Sequence, residues 1–363
     1  MLNSFNHVNK QSTIAALLEV RPLPRPIKLP LQKWPPGTSP LVSICCNCYN
    51  HKEYVEQCIE GFLQQKTTFP VEIIIWDDCS TDGSQQIIKE YAKKYPDLIT
   101  AFLQASNLFS KKLGKSMKAY PLEKAKGAFF ALCDADDYWI SPEKLEKQIA
   151  AMTKYDVGIS GHPAVVLSSN GERLGKMAGY SVTKTKKFKS RSLFFNKCNM
   201  LPMASIVLDQ AAKDAVLLNQ PPIRFHSGLQ AIASKRNGLV VLDGIFSAYR
   251  TDVPGSATFR LLGDSQKRNT TALRRIESLR LLRSLYAPKC RFPINFCIAS
   301  QYPYLTEEKR VLRRVQVLLG NEHLIDRAMV LICLIFLKVK MRSCGLLQRL
   351  TAGPRRLLRC FEK

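Results

Sequence analysis

The chain has 363 residues, 46% hydrophobic and 23% charged, a globular composition that excludes wholesale disorder and leaves room for one large domain or two ordinary ones. Its net charge is +25, and the excess is uneven: Phe259–Lys363 carry 22 Lys and Arg against 7 Asp and Glu. A surface of that kind attracts polyanions, whether nucleic acid, anionic lipid headgroups or phosphorylated substrates.

The N-terminal stretch "MLNSFNHVNKQSTIAALLEV" has no apolar core of signal-peptide length, so no secretory leader is expected. Most of the 12 cysteines lie in apolar runs such as "VSICCNCYN" and "VLICLIFL", and they read as reduced, buried thiols of a cytosolic protein. Cys45 faces away from Cys46 and Cys48 on a strand, and no second Cys/His pair with zinc spacing is present further on, so a zinc site is not expected.

Residues 1–40 form a first segment. A short helix is expected around Ile14–Val20, then an extended linker carrying seven prolines from Pro22 to Pro40. From Leu41 the pattern changes. "LVSICC" is an apolar strand, and Val55, Cys58, Ile59, Phe62 and Leu63 then recur at helical spacing. "VEIIIW" (Val71–Trp76) is the next strand. The polar turn "DDCSTDGS" leads into a helix with Ile87, Ile88 and Tyr91 on one face, where Asp82 reads as turn and cap chemistry. Leu98–Gln104 is a third strand, Ser116–Lys126 a helix, and Ala128–Cys133 a fourth strand. Ser141 and Pro142 supply an N-cap and first residue for the helix "EKLEKQIAAM". The second half is less regular: a strand pair turning at Asn170–Gly171, a basic loop Lys184–Arg191, strands in "MASIVLD" and Leu239–Arg250, and a basic helical region from Arg260.

Continuous apolar strands separated by helices predict an α/β fold with a mostly parallel, twisted sheet covered on both faces. In such sheets ligands bind beyond the carboxyl ends of the strands. Asn47, Tyr49 and Asn50 come at the end of the first strand, Asp77 and Asp78 after the second, and Asp134, Asp136 and Asp137 after the fourth. Three carboxylates in "CDADDYW" repel one another and need a counter-charge, for which a divalent cation is the obvious candidate.

"VSICCNCYNHKEYVEQCIEGFLQQ", "EIIIWDDCSTDGSQQIIKEY", "KGAFFALCDADDYWISPEKLEKQI" and "FSAYRTDVPGSATF", in that order, resemble the family 2 glycosyltransferases with their A-type nucleotide-sugar fold, over roughly residues 40–260. The resemblance implies that Tyr49 and Asn50 help hold the nucleotide, with Asn47 where the family often has Thr. It implies that Asp78, beside Asp77, reads the base edge. Asp134-Ala135-Asp136 matches the DxD motif, with Asp136 binding Mn2+ or Mg2+ and Asp134 contacting the ribose or joining the metal's shell. A hard divalent cation held by carboxylates and shared with phosphate oxygens suits the charge that develops on a leaving diphosphate.

The pattern departs from the family at the catalytic base. In "FHSGLQAIASKRNG", His226 stands where inverting members carry an Asp, and a histidine serves as base near neutral pH with little tuning. The expected activity is therefore metal-dependent, inverting transfer of a sugar from a nucleoside diphosphate donor to a cell-surface polysaccharide or lipid-linked acceptor. The domains expected are 1–40, a catalytic region 41–260 (donor half 41–140, acceptor half 141–260) and a basic helical region 261–363. "AMVLICLIFL" (Ala328–Leu337) is too short to span a bilayer, which takes ~20 apolar residues. The basic, leucine-bearing tail after it suits an in-plane helix on an anionic leaflet, placing the protein at the cytoplasmic face of the membrane. Few aromatics interleave with that charge, so nucleic acid is not expected as a partner. Two alternatives stay open. A sugar-1-phosphate nucleotidyltransferase uses a related fold but needs a Gly-rich, basic loop that "CNCYNHKEY" lacks, and a non-catalytic binding homologue would explain the missing Asp at 226.

Overall fold

The computed structural model describes residues 21–111, 116–196, 198–219, 226–256, 259, 265–286, 290, 294, 295, 297, 298 and 301. The chain divides into two compact units, Met1–Asp264 and Ser265–Lys363. The helix expected around Ile14–Val20, the apolar run Ala328–Leu337 and the basic tail beyond it lie outside the described residues.

In chain order the first unit contains β1 (Ile27–Lys28), β2 (Val42–Cys48), α1 (Lys52–Leu63), β3 (Lys66–Thr67), β4 (Val71–Asp77), α2 (Ser84–Lys94), β5 (Ile99–Leu103), α3 (Ala119–Lys124), β6 (Phe129–Asp134), β7 (Tyr138–Trp139) and α4 (Lys144–Tyr155). Next come β8 (Ile159–Gly161), β9 (Ala164–Leu167), β10 (Arg173–Ala178), β11 (Lys186–Phe188), α5 (Ser190–Phe195), β12 (Val207–Asp209), α6 (Gln210–Leu218), α7 (His226–Ser234), β13 (Leu239–Val241) and β14 (Ser247–Arg250). The second unit is described chiefly by α8 (Ser265–Leu285).

The main sheet has eight strands in the order β11-β13-β8-β12-β6-β2-β4-β5. β6, β2, β4 and β5 run parallel to one another, as do β13 and β8, whereas β12 is antiparallel to both β6 and β8. The mostly parallel α/β sheet expected from the sequence is present. β2, β4 and β6 are buried on both faces, which is why they read as unbroken apolar runs rather than alternating ones. A second sheet, β10-β9-β14-β7, contains the hairpin that turns at Gly171, whose φ of 87° needs a residue without Cβ. Gly61 of α1 serves close packing instead: a Cβ there would sit 2.8 Å from the Trp139 carbonyl oxygen, so α1 rests directly on the backbone of β7.

The helix after "YWIS" starts later than expected. Glu143 holds the cap position; Ser141 Oγ accepts from Glu143 N, at 3.3 Å, and the Ser141 carbonyl accepts from Gln65 Nε2 at 2.8 Å. Gln65 Oε1 in turn accepts from Leu145 N, so a buried side chain from the end of α1 does the capping. Among the described residues no helix is long and apolar enough to cross a membrane.

Lys144, the first residue of α4, is wholly buried. Its Nζ lies 4.0 Å from the centre of the Trp139 ring and has no hydrogen-bond partner. Burial lowers its pKa from 10.5 to about 7, opposed only by a pull from Cys133. Between those two values the unfolded chain holds one proton more than the folded one, so Lys144 makes stability rise as pH climbs from about 7 to 10.5. Lys144→Met is therefore expected to be more stable than wild type at pH 7, with the gap in urea midpoint closing by pH 10. A gap that does not change with pH would show that the lysine keeps its ordinary affinity for protons.

Candidate functional site

The carboxyl ends of β6, β2 and β4 bring the three polar clusters to one edge. Register places Asp134 beside Asn47, Asn47 beside Trp76, and Trp76 beside Phe102, so a single row crosses four parallel strands on one face of the sheet. Tyr120 of α3 stacks on Trp76 with ring centres 4.7 Å apart, which sets α3 over that face. Cys48 and Asp77 form the next row, on the opposite face.

Each carboxylate has a distinct setting. Asp77 is fully buried and accepts from Ser80 N, Ser80 Oγ and Gln85 Nε2, so it anchors the turn after β4. Asp78 is 2% exposed, and its two oxygens accept from Leu108 N at 2.8 Å and Phe109 N at 3.0 Å. Asp82 accepts from Lys52 N and from Ser84 N and Oγ, capping α1 and α2 together. Asn50 takes the left-handed conformation (φ 55°); its Oδ1 accepts from Thr81 N, and its own amide donates to Ser80 Oγ. Tyr49 is 39% exposed.

The acidic turn itself is tightly built. Ala135 N donates to Asn47 O and Asp137 N to Asp134 O. Asp137 is buried and accepts from Arg250 N at 2.9 Å, so it pins β14 and is no cap for the residues after it. Burial pushes the Asp137 carboxyl well up, and the neighbouring Asp136 adds to the shift. Asp134 pairs with Lys118, the residue just before α3. Asp136 faces His51, whose Nε2 is 4.0 Å from Asp136 Oδ2. Burial holds the His51 imidazole below its ordinary value against the pull of Asp136, leaving it neutral, with a lone pair to offer, at pH 7. Among the described residues no group of three or more His, Cys, Asp or Glu is arranged to hold a metal by itself. The donor set fits a shared ion: two carboxylates on one turn, beside an Asn47 amide whose nitrogen and oxygen are buried without partners.

His226 opens α7, and its Nε2 accepts from Gln230 Nε2 at 2.9 Å. Gln230 is fully buried and also brackets Leu201, donating to its carbonyl and accepting from its amide.

Reading along the chain missed Lys118, His51 and Arg250. Arg250 ends β14 with its guanidinium between the rings of Tyr54 (5.0 Å) and Tyr138 (4.8 Å), donating to Asp136 O at 2.7 Å and to Gln57 Oε1. Its motif "SAYR" is visible in the sequence, but its partners on α1 and on the acidic turn are not. Arg250→Met removes the donors to Asp136 O, on a half-buried residue, and to Gln57 Oε1, on an exposed one, and strips a buried side chain of its ring contacts; it is expected to cost about 1–3 kcal/mol, read as a lower denaturant midpoint. Arg250→Lys should recover less than half of that loss, because an ammonium cannot bridge both acceptors while stacked.

The glycosyl transferase family 2 model matches residues 43–213. A protein of Mycobacterium tuberculosis without an assigned function is 38% identical over 133 residues, covering 36% of this chain and 37% of that one. TuaG of Bacillus subtilis, whose name assigns it provisionally to teichuronic acid biosynthesis as a glycosyltransferase, is 32% identical over 137 residues, covering 38% of this chain and 52% of TuaG. The chain thus spans between about a third and a half of the length of these curated relatives. A crystal structure of residues 1–349 of S. aureus TarS aligns with a TM-score of 0.48 at 16% identity, over 83% of this chain and 91% of that one. Over residues 43–213, just under half of its length, the chain is similar to glycosyl transferase family 2.

Proposed function

We propose that the protein is a metal-dependent, inverting glycosyltransferase that moves a sugar from a nucleoside diphosphate donor to a cell-surface polysaccharide or lipid-linked acceptor. The observation that carries this reading is the juxtaposition, inside the region matching the family, of Asp134, Asn47 and Asp136 at the ends of adjacent parallel strands. Asp134 and Asp136 would hold Mn2+ or Mg2+, which when bound supplies positive charge to the leaving diphosphate. Asp78 keeps a second lone pair on each oxygen beyond those used by Leu108 and Phe109, enough to accept from the base edge without releasing that loop. Tyr49 offers an exposed ring to the nucleotide, while Asn50 and Asp77 fix the turns that carry Tyr49 and Asp78.

In the transfer step the acceptor oxygen bonds to the anomeric carbon as the bond to the diphosphate breaks, and the acceptor proton passes to a base. His226 is the base in this reading, and its Nε2 must first leave Gln230. That engagement favours a second reading, a donor-binding protein without transfer activity. The excess charge of the C-terminal third supports a position against anionic lipid at the cytoplasmic face of the membrane.

A thermal-shift screen of nucleoside diphosphate sugars with and without Mn2+ tests the assignment. One donor is expected to raise the melting temperature in a cation-dependent way, and Asp136→Asn to lose the effect. Stabilisation by RNA or DNA and by no donor would overturn it. With the donor known, His226→Gln is expected to lower kcat by about 10²–10⁴ with little change in donor KM. An unchanged kcat would remove His226 as base, and donor binding without turnover in the wild type would favour the second reading.

A further inference from the structure

Resting on the donor reading above, we propose that Lys118 is a built-in cation of the site: it neutralises Asp134, gives that carboxylate up to a divalent ion when donor binds, and then serves the donor's diphosphate.

The placement of Lys118 carries the inference. Asp134 pairs directly with Lys118, whose side chain is 16% exposed, while Asp136 faces His51 and feels the Lys118 charge without an ion pair to it. Lys118 approaches the row formed by Asp134, Asn47 and Trp76 from the face that α3 covers. Beside Asp134 in that row, both amide atoms of Asn47 and the Nε1 of Trp76 are buried without hydrogen-bond partners. An orphaned buried polar group costs about 1–3 kcal/mol, and three on two adjacent strands mark a place built for a polar ligand rather than for packing. Lys118 is thus poised between a carboxylate it already holds and a ligand space whose other walls lack partners.

The residue type suits an exchange of partners. An ammonium is a compact charge on a flexible stem with three donors and no fixed fork, so it moves from carboxylate to phosphate without reshaping the site. A like exchange by arginine would break a planar, bidentate geometry. Lys118 forms no covalent bond in this scheme; it supplies charge where the leaving diphosphate gains it.

Binding measurements on the full chain separate the two roles. Mn2+ affinity is read from the electron paramagnetic resonance of the free ion, and nucleotide affinity by titration with UDP and GDP in the presence of Mn2+. Without nucleotide, Lys118→Met is expected to bind Mn2+ about tenfold more tightly than wild type, because Asp134 no longer has a competing partner. With Mn2+ present, the same variant is expected to bind UDP or GDP about tenfold more weakly, and Lys118→Arg to stay closer to wild type in both. Melting curves confirm that each variant is folded. Unchanged or weaker Mn2+ binding by Lys118→Met overturns the inference while leaving the metal site standing. If neither wild type nor variant binds Mn2+ but UDP or GDP still binds in EDTA, the metal-dependent reading fails and the inference with it.

Discussion

The grip of Arg250 on the 134–137 turn is the contact on which the site depends. It joins three parts of the chain distant in sequence: α1 through Gln57, the acidic turn through the Asp136 carbonyl and the Asp137 carboxylate, and β14 of the second sheet through its own backbone. Two tyrosine rings hold the guanidinium between them. Five donors in a rigid plane let one side chain satisfy acceptors on two elements at once. With its backbone fixed in this way, Asp136 turns its carboxylate toward His51 and the charge of Lys118.

That fixing produces a division of labour among six acidic groups that look alike in sequence. Asp77, Asp82 and Asp137 are spent on backbone amides and turn geometry, held by donors that belong to the fold itself. Asp78 also holds backbone, at Leu108 and Phe109, which couples the base-reading position to a loop as well as to the sheet. Asp134 and Asp136 differ in having side chains as their charged neighbours, and side chains can change partner. Carboxylates this close tolerate their repulsion when some are neutralised by burial and others by a cation. The raised Asp137 carboxyl and the Lys118 ammonium are the two solutions in one turn.

How much of this is legible along the chain depends on the range of the forces involved. β2, β4, β6, α1 and α2 are legible because burial on two faces, or on one helical stripe, writes a continuous or periodic pattern that needs no knowledge of partners. The rule that parallel strands present ligands at their carboxyl ends then places Asn47, Asp78 and Asp134 at one edge, where the structure has them. Of the three-residue strands, β12 and β13 fall within stretches expected to be strands, whereas β11 (Lys186–Phe188) lies in what reads as a basic loop, too short and too charged for any period to show. The late start of α4 is hidden because its cap is Gln65, from another element, and local capping chemistry at Ser141 points elsewhere. Lys118, His51 and Arg250 escape for the same reason: each matters through partners that only the folded chain brings near, and a lone cation in a polar stretch carries no mark of them.

The side of the sheet away from α3 completes the electrostatics. Cys46 and Cys133 lie next to each other in register, and Cys58 of α1 reaches down so that its Sγ is 4.0 Å from that of Cys133 and 3.7 Å from the Asp134 carbonyl oxygen. All three are buried and reduced, and burial pushes the Cys58 thiol well up, so it stays neutral across the physiological range. Small, polarizable, uncharged side chains let α1 approach the strands closely and keep water out from below. A dry floor lowers the local dielectric under Asp134 and Asp136 and strengthens every charge interaction made at the rim above it. The cysteines that invite a metal or disulfide reading in the sequence therefore act through the charge they withhold, and an ion at the rim meets carboxylates that no charge below competes for.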